Sequence, residues 1–175
     1  MNKNDQPICE VSNDWIDWEH WKYRAHFEPI GSIQFALNRN QREDMRFIPR
    51  DVAFLENEAL VYVLVVKTPT ATKVLKVGKT STSMKKRVAS YNCGKDEYRA
   101  KGTCSTTNWF VRTTLKNLFE RQYQLEVFGY YVADVRSEVD FGVFKTVRGD
   151  PKNLEKTILE NLKKSGRFPP LCTQR

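Results

Sequence analysis

From Ala59 to Val66 the chain reads Ala-Leu-Val-Tyr-Val-Leu-Val-Val, with no charged residue. A continuous apolar and β-branched run of this length is a buried strand. Lys67-Thr68-Pro69-Thr70-Ala71-Thr72 then makes a turn, because proline interrupts it and its residues are small and polar. Residues 73–79 form a second strand, so the pair closes as an antiparallel hairpin. Ser83 caps a helix that runs to Asn92, with Gly94 just past its end. Residues 95–108 are polar and loop-like, 109–120 look helical, and 125–132 read as a third strand. Asp150-Pro151 starts a last helix with a cap and a proline in its first turn. Leu154, Ile158 and Leu162 recur every four residues and give it one apolar stripe. Residues 166–175 make a C-terminal arm, extended from Pro169 onward. The expected class is α+β: a small antiparallel sheet of about three strands flanked by helices.

Residues 1–58 are expected to form an N-terminal helical segment packed on a core made by 59–175. Trp15, Trp18 and Trp21 recur at three-residue steps, as on one helical face, and would dock that helix. Base stacking is the alternative use for them. The basic residues between Asn38 and Arg50 suit either a DNA backbone or a solvated helix face. A formal net charge of +8 points to a polyanionic partner. No apolar run is long enough to span a membrane, and no apolar stretch follows Met1 as a signal peptide would, so the expectation is a cytoplasmic protein. The four cysteines, Cys9, Cys93, Cys104 and Cys172, include no C-x-x-C pair, which argues against structural zinc.

The hairpin and the helix after it bring chemistry together. Tyr62 shares a strand face with Leu60 and Leu64, and Lys76 shares one with Val74 and Gly78. Pairing sets Tyr62 and Lys76 within a rung or two of each other. Arg87 and Tyr91, four apart on the helix, face the same way. Tyr62, Lys76, Lys79, Arg87 and Tyr91 are thus expected over one sheet surface. Phosphodiester hydrolysis needs an activated water, a clamp on the phosphoryl oxygens and relief of charge on the leaving oxygen. Tyrosine serves as a base only as a phenolate, which a neighbouring ammonium favours. Arginine offers phosphate a planar fork. A divalent metal needs a carboxylate, and Glu155, beside the apolar stripe of the last helix, can point inward. Glu160 competes but lies farther round the helix. The bland reading, a core tyrosine and an ordinary strand end, remains open on pattern alone.

On these residues the chain resembles the GIY-YIG nuclease family. Leu60-Val61-Tyr62 stands where the family has Gly-Ile-Tyr, Lys76-Val77-Gly78 where it has Tyr-Ile-Gly, with Arg87 and Glu155 at the helix arginine and the metal-binding glutamate. Lys76 in place of the second tyrosine is similar to a small type II restriction branch, as are Ser90 to Lys95, Glu97 to Arg99, Gly102 to Asn108, Ile158 to Asn161 and Cys172 to Gln174. That branch often has histidine where Lys79 stands. The resemblance covers residues 59–175. It implies a nuclease domain there and cutting of double-stranded DNA at a short palindrome, interrupted as in TCNGA. Tyr62 would be the general base, with Lys76 holding it as a phenolate. Arg87 and Tyr91 would bind the scissile phosphate, and Glu155 would hold one Mg²⁺ per active site. It also implies 5′-phosphate ends, a homodimer and a cognate DNA methyltransferase in the host. Base reading must come from elsewhere. The recognition loop 95–108, with Arg99, Lys101, Thr106 and Asn108, and the arm residues Gln174 and Arg175 are the candidates. Two rivals are a non-catalytic DNA-binding module on the same scaffold and a domain whose basic surface meets acidic proteins.

Overall fold

The computed structural model describes residues 6–55, 59–132, 138–140, 145–147 and 151–172. Its main sheet has five antiparallel strands in the order β2-β1-β5-β3-β4, two more than the sequence indicates. The strands are β1 (Glu28–Leu37), β2 (Glu43–Pro49), β3 (Leu60–Lys67), β4 (Thr72–Thr80) and β5 (Gln124–Tyr131). The missed pair, β1 and β2, lies in the stretch expected to be helical. Its period-two pattern is visible in Ile33, Met45 and Phe47, which are buried while their neighbours Gln34, Arg46 and Ile48 are exposed. Two short strands, β6 (Glu138–Asp140) and β7 (Lys145–Val147), pair separately. The helices are α1 (Met84–Ser90), α2 (Asp96–Ala100), α3 (Thr106–Glu120) and α4 (Pro151–Lys164).

Strand β3 lies between β5 and β4, and it is buried on both faces from Leu60 to Val66. Leu60, Tyr62 and Leu64 point to one face, where Met84 and Val88 of α1 and Val111, Leu115 and Leu118 of α3 pack. Val61, Val63 and Val65 point to the other, under Leu154, Ile158 and Leu162 of α4 and the N-terminal tryptophans. Trp18 and Trp21 do dock on the core, but not as a helix. Residues 11–23 are turns and bends, and a short 3-10 turn follows at Arg24–His26. The segment instead adds to the sheet edge: Trp18 N donates to Thr72 O and Val74 N donates to Ile16 O, each at 2.9 Å. Trp18 lies 4.3 Å from the Phe128 ring and both buried tryptophans are sealed from bases. The polar stretch 95–108 also contains more order than a loop: α2 sits inside it, and Ser105 caps α3 three residues earlier than the apolar pattern indicates.

Candidate active site

Strand β4 departs from simple alternation at one residue. Leu64 pairs with Lys76 but Val65 pairs with Val74, so Leu75 is an extra residue, a β-bulge. The bulge corrects one expectation. Lys76 and Gly78 face the Tyr62 side, but Val74 is turned to the opposite core. The carbonyl of Leu75 is taken by Leu171 N at 2.9 Å. Next to it Lys76 Nζ donates to Leu171 O at 2.9 Å, and the Cys172 thiol lies 3.3 Å from Val77 N and 3.2 Å from Val77 O. The C-terminal arm therefore covers the edge of β4 as far as Val77. Beyond that point Lys79 stands among three hollows that open side by side.

Two phenols and a guanidinium meet on the α1 side. Tyr62 Oη and Tyr91 Oη are 2.7 Å apart, and Arg87 Nε donates to Tyr62 Oη at 3.1 Å. The Arg87 guanidinium also lies over the Tyr91 ring, at 4.7 Å. Both phenols are wholly buried. Burial pushes Tyr91 well above the usual tyrosine range, and Tyr62 adds to the rise more than Arg87 offsets. Tyr91 thus keeps its proton, and either hydroxyl can donate in the short bond. Burial opposes the charge on Arg87, but the Tyr62 and Tyr91 oxygens outweigh it and raise the guanidinium further. Arg87 Nε and the Tyr91 hydroxyl both lie within hydrogen-bond distance of one oxygen, that of Tyr62. The cation within hydrogen-bond distance of Tyr62 is Arg87; the ammonium of Lys76, expected in that role, is tied to Leu171.

Gly78 makes this possible. It is opposite Tyr62 in the register, and a Cβ there would fall 2.5 Å from both Cζ and Oη of Tyr62. We predict that Gly78→Ala forces the ring aside, costs about 1–3 kcal/mol through overpacking, and breaks the contact with Arg87. A thermal melt of the variant checks the cost.

Glu155 approaches from the other side of the sheet, round the edge of β4. It follows Leu154 in α4 and is nine-tenths buried, whereas Glu160 is exposed and pairs with Lys156 at 3.7 Å. Lys79 Nζ is 3.9 Å from Glu155 Oε2. Burial raises the Glu155 carboxyl above its ordinary range, against the pull of Lys79, Lys76 and Arg87. Lys76, Lys79, Arg87 and Glu155 line one cavity of about 220 Å³ with Thr107, Leu159 and Cys172. The expected set is therefore brought together, but round a strand edge rather than over one surface. A single desolvated carboxylate beside a cavity suits Mg²⁺, which keeps several waters and uses one or two carboxylates with substrate phosphate.

The recognition candidates cluster apart from this set, where α2 meets the start of α3. The Arg99 guanidinium lies 4.1 Å from the Trp109 ring, whose Nε1 donates to Asp96 at 2.7 Å. Asn108 donates to Cys93 Sγ at 3.0 Å; Lys101 and Thr106 are exposed. Thr107, between these residues, joins them to the cavity. Gln174 and Arg175 lie outside the described residues. Thr107, Leu171 and Cys172 belong to the site although their types carry no catalytic signal. The sequence hint was position alone: Thr107 sits in the polar stretch and Cys172 in the arm.

No protein-family model matches the chain, and no curated protein does. Among solved structures it is similar to restriction endonuclease HPY188I in complex with product DNA, at 30% identity and a TM-score of 0.59, over 99% of this chain and 96% of that one. Identity of 30% across nearly the whole of both chains places this chain in the same family as that restriction endonuclease.

Proposed function

We propose that this protein is a type II restriction endonuclease of the GIY-YIG kind, hydrolysing double-stranded DNA at a short, interrupted palindrome of the TCNGA type. The observation that supports it most is the Tyr62 oxygen held between Arg87 Nε and Tyr91 Oη, with Glu155 across the adjoining cavity. The likeness to a restriction endonuclease bound to DNA supports the substrate.

In this reading Tyr62 removes a proton from water, and both donors stay aimed at its oxygen when it is charged. Arg87 carries the charge that a phosphoryl oxygen needs and lies between Tyr62 and the cavity, so it is the contact for the scissile phosphate. Tyr91, kept protonated, orients Tyr62. Lys76 and Lys79 supply positive charge at the cavity wall. Glu155 would hold Mg²⁺, which relieves charge on the leaving 3′-oxygen when bound, and the ends would carry 5′-phosphates. A palindromic site calls for a two-fold homodimer with one active site per strand, and a host carrying this enzyme needs a cognate methyltransferase. Arg99, Lys101, Thr106, Asn108, Gln174 and Arg175 are the base-reading candidates. Incubation with plasmid DNA and Mg²⁺, followed by sequencing of the ends, tests the reading. Discrete fragments sharing a short palindrome are expected; intact plasmid at low salt overturns it.

A further inference from the structure

A second hollow, of about 460 Å³, opens beside the catalytic cavity between the β4–α1 turn and the start of α4. It shares Lys79 and Arg87 with that cavity. Among the described residues its lining holds four cationic and four hydroxyl side chains, one proline and no carboxylate. A neighbouring hollow that shares Lys79 and Lys152 differs: Lys156 and Lys163 line it too, but so do two carboxylates, Glu155 and Glu160, with Leu159 and Phe168. A wall of cationic and hydroxyl groups offers a metal ion no anionic ligand. It does match the oxygens of a phosphodiester, which take hydrogen bonds from Lys, Arg, Ser and Thr.

We infer that this hollow holds the backbone of the cut DNA strand next to the scissile phosphate, with Lys86 and Lys152 as its phosphate contacts and Ser81 and Thr82 as supporting donors. The inference rests on the nuclease reading and deepens it, because Arg87 belongs to both spaces. A strand whose scissile phosphate meets Arg87 continues past Lys79 into the hydroxyl-lined side, where none of the described lining residues is a carboxylate. The other direction leads past Glu155 and Glu160. The contacts are to backbone, so they set position and strength of binding without reading sequence.

The test is duplex binding without divalent ions, followed by fluorescence anisotropy between about 50 and 200 mM salt. Cognate and unrelated duplexes are compared. Each phosphate contact contributes about 0.9 to the slope of log affinity against log salt. Lys86→Ala and Lys152→Ala are each expected to flatten the slope by about 0.9, to weaken both duplexes alike, and to leave the preferred sequence unchanged. Lys67→Ala, at the far end of the β3–β4 hairpin, is the control and should leave the slope unaltered. Circular dichroism confirms that each variant is folded, and Lys86→Gln and Lys152→Gln replace any that is not. An unchanged slope in both lysine variants of a protein that itself binds DNA overturns this inference and spares the nuclease reading. So does an equal effect of Lys67→Ala, or a loss confined to the cognate duplex. Absence of salt-dependent binding by the unmodified protein overturns both.

Discussion

Glu155→Gln is expected to stop DNA cutting while leaving DNA binding intact. Glutamine keeps the shape of the side chain and removes the negative charge that a divalent ion needs. A fall of about 10³-fold or more in single-turnover cutting is the expected scale, from the several kcal/mol that a metal contributes to phosphoryl chemistry. A mobility shift on the same DNA should be undiminished, since the variant takes a negative charge out of a basic cavity. Retained cutting would remove Glu155 from the mechanism. The same substitution has a stability signature. Burial raises the folded-state value of this carboxyl above its unfolded value, so the folded protein holds the proton more tightly. That contribution is full below the unfolded value and is lost as pH rises through the folded one. At neutral pH the natural protein carries an ionised, desolvated carboxylate and the variant does not. Glu155→Gln should therefore melt higher at neutral pH, with the difference shrinking in acid. Cutting by the natural protein should fall off in acid at a higher pH than an exposed carboxylate would give.

Tyr62→Phe should be as damaging to turnover and worse for the fold. Loss of a general base slows the chemical step by about 10²–10⁴-fold. Removing the hydroxyl also strands Tyr91 Oη and Arg87 Nε in a buried place, at about 1–3 kcal/mol. Tyr91→Phe removes one hydrogen-bond partner and leaves the proposed base, so its loss of rate should be smaller. Assays run well below the melting temperature of each variant separate chemistry from folding. Normal turnover by Tyr62→Phe would mean that another group deprotonates the water.

What could be read from the residues followed the strength of their patterns. The β3–β4 hairpin, the Ser83 cap of α1 and the apolar stripe of α4 rest on local rules, and each lies where those rules set it. The N-terminal half did not yield to the same treatment. Three tryptophans at helical spacing masked a segment that follows the sheet edge, because docking of large rings onto a core can override period. The β1–β2 strands hid among arginines, because polar residues on the exposed face of an edge strand look like a solvated helix face. The site was legible as a set of residue types and not as a shape. Nothing local announces that Glu155 arrives from one face and Arg87 from the other. Nor does the sequence show that Lys76 hydrogen-bonds to the carbonyl of Leu171, 95 residues away.

The extra residue in β4 has a consequence for how this enzyme can change over evolution. Side-chain direction along a strand depends on counting by twos. Leu75 resets the count, so that valine and lysine two positions apart serve opposite faces. Its displaced carbonyl is also the mooring for the chain terminus. Loss of the Leu75 codon would restore simple alternation and leave Lys73 and Val74 on their present faces, opposite Val66 and Val65, but would cast off the terminus. The pairing can therefore survive loss of this residue, whereas the mooring cannot.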